Sequence, residues 1–360
     1  MARRHDATTV DWLRVNLFSS WGNAALTIVS AAILLTVIVH ALDWAVLTAV
    51  FSGDDGKACR APGTGACWPF VWHKLGLFMY GRYPEASRWR VDLTYYLAFA
   101  GLLPLMIPRV RAKLWLSLYM LVAFPIIGFV LVRGGMLGLS SVPTEEWGGL
   151  FLTLVVASVG IAASFPLGIL LALGRRSELP IVRWASIAYI ELVRGVPLVT
   201  VLFMASVMLP LFLPPDVTID KLLRALVGVT LFSAAYLAEV IRGGLQAIPR
   251  GQFEAADALG LSYAQKMSLI VLPQALKLVI PGIVNSFISL FKDTSLVMII
   301  GLFDLMGIVQ QSVSADAKWF SEATPATGYV FAGLIFWIFC FSMSRYSAFI
   351  EKRLASGERR

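Results

Sequence analysis

EAADALGLSYAQKMSLIVLP, Glu254–Pro273, puts charge, a glycine and a proline between apolar segments. Its flanks decide the fold. On either side lie stretches of about twenty mostly apolar residues, the length at which one helix crosses the roughly 30 Å hydrocarbon layer. Of the 360 residues, 58% are hydrophobic and 14% charged, whereas soluble domains carry about 25% charged residues. A soluble chain of this size needs many polar faces, and the sequence lacks them. It therefore predicts an all-α polytopic membrane protein with about eight transmembrane helices.

The expected spans are 22–46, 91–107, 114–132, 147–173, 185–213, 222–241, 275–302 and 328–350, the seventh of them broken. Lys and Arg set orientation, because short cytoplasmic loops retain them. With both termini in the cytoplasm, 18 of the 30 Lys and Arg fall inside, among them Arg3, Arg4, Arg14, Arg359 and Arg360. Ten fall outside, and Arg194 and Lys292 lie within spans. Six of the outer ten sit in the long loop 47–90, where the rule is weakest. The net charge of +8 thus reads as orientation, and no nucleic-acid partner is expected. The start, MARRHDATTVDWLRVN, is polar and no cleavage-like site follows the first apolar run, so the first span doubles as the targeting signal. In a bacterium this places the chain in the inner membrane as a multi-pass protein, with loop 47–90 in the periplasm.

Four regions follow. Residues 1–21 form a cytoplasmic segment, and 22–140 a three-helix accessory region. Residues 141–353 form the working core, which holds nearly every intramembrane charge and a cytoplasmic loop at about 242–274. Residues 354–360 are a tail. Cys340 reads as a small buried hydrophobe. Cys59 and Cys67 flank the polar loop ACRAPGTGACW and are candidates for a disulfide in an oxidising space, worth about 2.5 kcal/mol in the chain-entropy description; two free thiols are the alternative. With only His73 nearby, no metal site is expected. Trp68, Trp72, Trp147 and Trp319 lie near span ends and read as interface anchors.

Within the opening stretch, Leu259, Tyr263, Met267 and Ile270 recur at helical spacing and share one face. Gly260 costs roughly 1 kcal/mol relative to Ala inside a helix, so a helix–turn–helix is a better reading than one rod. Pro273 marks entry into the next span. A surface helix resting on headgroups is the plain alternative.

The pattern Glu254-Ala255-Ala256, Gly260, then Ile270, Leu272 and Pro273 resembles the cytoplasmic EAA loop of membrane subunits of ATP-binding-cassette (ABC) importers. RGGLQAIPRGQ (242–252), YIELVRGVPL (189–198) and FKDTSL (291–296) are similar to permeases of the polar, histidine-type amino-acid family. That family more often has Thr where this chain has Val196. The similarity spans 147–353, the family's five-helix type I core. The three leading spans and large outer loop resemble one branch, the larger permeases of general L-amino-acid importers. The resemblance implies a coupling helix at Glu254, Ala255, Ala256, Gly260, Leu272 and Pro273 that docks on a separate ATPase. It implies a complex with a second, different permease subunit, two ABC ATPase subunits and a periplasmic amino-acid-binding protein. No G-x-x-x-x-G-K-[ST] segment is present, so this chain is not the ATPase; no cofactor of its own is expected, and the resemblance implies that ATP is used by the partner subunits.

Ionisable groups at membrane depth cost about 2.5–3.5 kcal/mol each on insertion scales. Glu191 and Arg194 are spaced to pair with each other, as are Glu239 and Arg242. Tyr236 and Ser233 lie on much the same face as Glu239. Lys292, Asp293, Thr294 and Ser295 sit between two apolar halves and offer both donors and acceptors to a zwitterion; Asn285 and Ser289 extend the stripe. Tyr236, Glu239 and Lys292–Ser295 are the candidate substrate pathway, with internal Lys292–Asp293 neutralisation as the alternative. Pro281 and Gly282 are expected to kink their span. A secondary amino-acid transporter driven by an ion gradient would show inverted repeats, and none is visible. An enzyme would need a nucleophile with its base or a metal cluster; His5, His40 and His73 stand in no motif, and no catalytic residue is expected.

Overall fold

The structure is a computed structural model that describes residues 9–107, 109–214 and 216–357. Arg3, Arg4, Arg359 and Arg360, counted above toward the cytoplasmic side, and His5 lie outside the described residues. The described residues form helices joined by turns, with three isolated β-bridges. Helices suit a chain in lipid because each satisfies its own backbone polar groups.

In chain order the helices are α1 (Thr9–Leu17), α2 (Trp21–Leu42), α3 (Trp68–Tyr80), α4 (Arg88–Met106), α5 (Lys113–Leu118) and α6 (Phe124–Arg133). Next come α7 (Gly149–Arg175), α8 (Pro180–Arg194), α9 (Leu198–Phe203), α10 (Lys221–Ala247), α11 (Arg250–Ala258) and α12 (Tyr263–Gln265). The chain ends with α13 (Leu272–Leu278), α14 (Ile280–Asp293), α15 (Leu305–Ala315) and α16 (Ala323–Gly357). Among the described residues six helical stretches are long and apolar enough to cross a membrane, or seven if the bent pair 180–194 and 198–212 is one span. The stretch expected at 91–107 is helical as α4, but Arg88, Arg90 and Asp92 fill its first turns and it falls short of that measure.

The bent pair differs from the straight span expected at 185–213. Its second half is bent by 104° from the direction of the first. Pro197 has no N–H to donate and disfavours helical geometry at Val196, so α8 stops at Arg194 and α9 begins after the proline. The seventh span breaks at Val279, directly ahead of Ile280-Pro281, and changes from α to 3-10 geometry at Thr294.

Two compact units divide the chain. The first comprises 1–73 and 313–328. In it α2 has no buried residue, as expected of a helix in lipid. Cys59 and Cys67 are joined by a disulfide with 5.7 Å between their Cα atoms. The closed loop lies against the first turns of α16 and the segment ahead of it: Arg60 Nε donates to the Phe320 carbonyl at 2.9 Å, and the Cys67 N–H donates to Thr327 Oγ1 at 2.8 Å. Trp319 is 2% exposed, beside Phe70 and His73. It is therefore a core residue, and its reading as an interface anchor is corrected.

The second unit comprises 74–312 and 329–360 and is built on α7 and α10. Small buried residues line α7 at Ala157, Gly160, Ser164, Gly168 and Ala172. A Cβ on Gly168 would lie 2.8 Å from Leu237 Cβ on α10, so the helices touch almost backbone to backbone, the arrangement that stabilises helix pairs where lipid supplies no hydrophobic drive. Val156, Val229, Leu202, Leu290, Phe291 and Val297 fill the centre. Trp147 is 5% exposed and packs on Phe151; it too is core and not an anchor.

Candidate functional site

The stretch 250–278 forms a short helix, a turn and a helix that runs on toward the next span. Gly260 has φ +69°. The Gly260 N–H donates to the Asp257 carbonyl at 2.9 Å and the Leu261 N–H to the Ala256 carbonyl at 3.2 Å. This pair closes α11 in a Schellman motif, which requires a residue in the left-handed region. Ser262 then opens the next helix with a capping box to Gln265. Lys266 pairs with Asp257 across the turn, and Gln274 Nε2 donates to Gln252 Oε1 at 3.0 Å. The turn is therefore stiff at both ends.

Burial divides the residues of this stretch. Ala256 is 0% exposed. Glu254, Ala255, Gly260 and Pro273 face outward, and Leu272 is half-buried. Below the turn, Ile248, Met267, Val271 and Ala275 pack with Ala172, Ile190, Ala238, Ile241 and Leu245. One cluster thus ties the turn to α7, α8 and α10. The single face expected for Leu259, Tyr263, Met267 and Ile270 does not form. Leu259 and Tyr263 are 75% and 56% exposed while Met267 is buried, because the turn at Gly260 resets the helical phase. Pro273, expected to mark entry into the next span, stands in the first turn of α13. Residues 266–271 widen to π geometry just before it, which frees the position that a proline cannot bond.

A charge cluster ties three helices together. Arg175 Nη1, at the end of α7, donates to Glu191 Oε1 on α8 at 2.8 Å and to Glu239 Oε1 on α10 at 2.9 Å. Arg242 donates twice to Glu239 Oε2, at 3.0 and 2.7 Å. Arg194 Nη1 lies 3.6 Å from the same oxygen and over the Tyr236 ring at 5.7 Å. The pairing expected between Glu191 and Arg194 is replaced, because Arg175 from the neighbouring helix reaches Glu191 first. Glu239 stands among three arginines, and Tyr236 is 40% exposed.

The second candidate group is split. Thr294 is 0% exposed, with its hydroxyl on the Phe291 carbonyl at 2.8 Å, and Ser295 donates to the Lys292 carbonyl at 3.0 Å. Lys292 is exposed and Asp293 half-buried. Among the described residues Lys292 forms no ion pair; it and Asp293, adjacent in sequence, diverge by about 100° around the helix. No hydrogen bond or ion pair joins Lys292–Ser295 to Tyr236 or Glu239. Sequence reading did not single out Asp304. It is 0% exposed at the head of α15, accepting from the Gly307 N–H at 2.9 Å while Oδ2 has no partner. Burial pushes its carboxyl up to about 6. The signal was an Asp ahead of an apolar run, a helix-start residue.

A multi-pass helical membrane protein is the class these features define: small-residue seams join long apolar helices, charges are paired across them, and one stiff polar turn projects. Among the described residues no group of His, Cys, Asp or Glu is arranged to hold a metal. Residues 164–356 match the family described as binding-protein-dependent transport system inner membrane component, and the chain belongs to that family. It is 52% identical over 356 residues to the inner membrane amino-acid ABC transporter permease protein YhdY of Escherichia coli, covering 99% of this chain and 96% of that one. It is 40% identical to the glutamate/glutamine/aspartate/asparagine transport system permease protein BztC of Rhodobacter capsulatus, covering 97% and 94%. A solved structure described as the crystal structure of an amino acid ABC transporter with histidines aligns at TM-score 0.50 and 29% identity. It covers 57% of this chain and 92% of that one.

Proposed function

We propose that this chain is the translocation subunit of an ATP-driven importer of L-amino acids, powered by two separate ATPase subunits that grip the turn at Glu254–Gly260. The exposed, doubly braced turn carries this reading. Glu254, Ala255 and Gly260 are open to a partner, while Phe253, Met267 and Val271 root the segment among α7, α8 and α10. A push on the turn therefore moves helices as rigid bodies. Leu272 and Pro273 lie where that motion passes into α13. The chain uses no cofactor of its own; ATP belongs to the partner subunits.

The Lys and Arg distribution supports both termini and the turn on the cytoplasmic side of a bacterial inner membrane. The names of YhdY and BztC support amino acids as cargo. A periplasmic binding protein delivers the cargo, and a second permease subunit, different from this one, closes the pathway. Tyr236, Glu239, Lys292 and Asp293 face that pathway, with Asn285 and Ser289 extending it; Thr294 and Ser295 shape its backbone. When ATP closes the ATPase pair, the turn shifts, α10 and α13–α14 tilt, and the path opens outward; hydrolysis resets it.

Site-directed cross-linking from Ala255→Cys tests the docking. In the purified complex the cysteine is expected to cross-link to an ATPase subunit, with a yield that changes between nucleotide-free and ATP-bound states. A cross-link formed only to lipid or to the second permease would refute the reading.

A further inference from the structure

A cavity of about 390 Å³ opens beside the turn, between the end of α7 and the start of α11. Proteins seat small ligands in cavities of roughly 300–1,000 Å³. Its floor is apolar: Leu245 and Ile248 are buried and Phe253 is half-buried. Its rim is charged, with Arg176, Arg250 and Glu254 all exposed.

The rim groups are placed but not used up. Arg176 Nη1 donates to the Leu245 carbonyl at 2.9 Å, and its guanidinium lies 5.6 Å from the centre of the Phe253 ring. These contacts hold the side chain at the edge of the cavity. A guanidinium has five N–H donors, so others remain for an acceptor. Arg250 and Glu254 stand four residues apart on α11, the spacing at which such pairs meet. Among the described residues neither forms an ion pair. Two cations and one carboxylate thus ring an apolar floor. Their complement is a small molecule with two carboxylates, one ammonium and a short apolar body.

We propose that this cavity binds an acidic amino acid, of the aspartate or glutamate type, from the side on which the turn projects. Arg176 and Arg250 each take one carboxylate, Glu254 takes the ammonium, and the methylenes lie on Ile248 and Phe253. A neutral amino acid leaves one guanidinium unmatched. A simple anion such as phosphate brings its charge up against Glu254 with nothing to offer it, so the rim selects against both. The proposal rests on the reading that the ATPase grips this turn. Glu254 cannot hold an ammonium and serve the ATPase at once, so an occupied cavity loosens the coupling and slows import. Cargo of this class, once delivered, limits its own entry.

The test uses the whole complex in proteoliposomes whose ATPase side faces out, with the binding protein and labelled cargo sealed inside. Millimolar L-glutamate added outside is expected to slow ATP-driven transport severalfold, and L-glutamine or inorganic phosphate is not. Arg176→Gln and Arg250→Gln are each expected to raise the concentration for half-inhibition about tenfold or more, the loss of one charge-assisted hydrogen bond. Each variant is compared with itself with and without outside glutamate, so its basal rate does not enter. Equilibrium dialysis of labelled L-glutamate against the purified complex, without binding protein, reads the same site without transport, and the same variants are expected to weaken binding by the same factor. Absence of slowing or of bound label overturns the proposal, as does equal slowing by glutamine or phosphate, or behaviour unchanged in both arginine variants. A cross-link from Gln246→Cys to an ATPase subunit that persists in saturating glutamate would show the partner filling the cavity, and overturns it too. Absence of ATP-driven transport without outside glutamate would instead overturn the importer reading, and the dialysis would still decide the site.

Discussion

Replacing Gly260 separates what this chain needs from what its partner needs. The residue sits at φ +69°, and a Cβ there would meet no atom within 4 Å. The cost of a side chain is therefore conformational, not steric. For Ala the left-handed geometry costs about 1–2 kcal/mol, while Asp and Asn pay less because they visit it more readily. A penalty of that size shifts the turn toward open forms by roughly five- to thirtyfold, which the Asp257–Lys266 pair and the Gln252–Gln274 bond partly offset. Gly260→Ala should thus reach the membrane and lose only part of its uptake. Gly260→Asp strains the chain less, but it adds a third carboxylate beside Glu254 and Asp257 on the surface offered to the ATPase. It should accumulate normally and lose ATP-driven uptake altogether. The assay is radiolabelled amino-acid uptake in vesicles, normalised to permease content. Full uptake by Gly260→Asp would refute the docking argument. A larger defect in Gly260→Ala than in Gly260→Asp would show that the glycine supplies only backbone geometry.

Three further predictions concern the rest of the chain. Asp304 lies outside the spans, and its carboxyl, raised from 3.8 to about 6 by burial, holds its proton in the folded state at pH values where the unfolded chain releases it. The charged form then penalises folding by about 3 kcal/mol above pH 6, the penalty fades as pH falls toward 4, and stability rises on acidification through that window. Asp304→Asn, still a good helix cap, should raise the apparent Tm at pH 7.5 and flatten its rise between pH 7.5 and 5; an unchanged pH profile contradicts this. Glu239→Gln leaves Arg175, Arg194 and Arg242 without their shared carboxylate and should cost about 3 kcal/mol or more, seen as a lower Tm in detergent; equal Tm values would show the cluster is solvated. Cys59→Ser and Cys67→Ser should lower stability alike, with the double variant no worse than either, and unequal single effects in mass-verified oxidised protein would argue against a shared bond.

What could be read before the structure followed from local chemistry. Apolar run length fixed the main spans, and Gly260 fixed the turn because only a left-handed residue completes its hydrogen bonds. Pro281 marked the break at Val279 for the same kind of local reason. Features that depend on a second segment were not legible. Trp147 and Trp319 look like anchors in one dimension and become core only when Phe151, Phe70 and His73 arrive beside them. Glu191 and Arg194 have the right spacing to pair, but Arg175 from another helix takes Glu191. The 104° bend after α8 was legible in principle from Gly195-Val196-Pro197, but apolarity on both sides masked it. Candidate pathway residues were the hardest, because spacing on α14 does not reveal that Thr294 turns inward while Lys292 turns out.

Transport by defined components tests the central claim most directly. The permease should be reconstituted in proteoliposomes with its second permease, ATPase subunits and binding protein, and amino-acid uptake compared with and without ATP. The account predicts uptake only when all components and ATP are present, and none by this chain alone under a proton or sodium gradient. Gradient-driven uptake by the purified chain, at a rate matching the full complex, would contradict it.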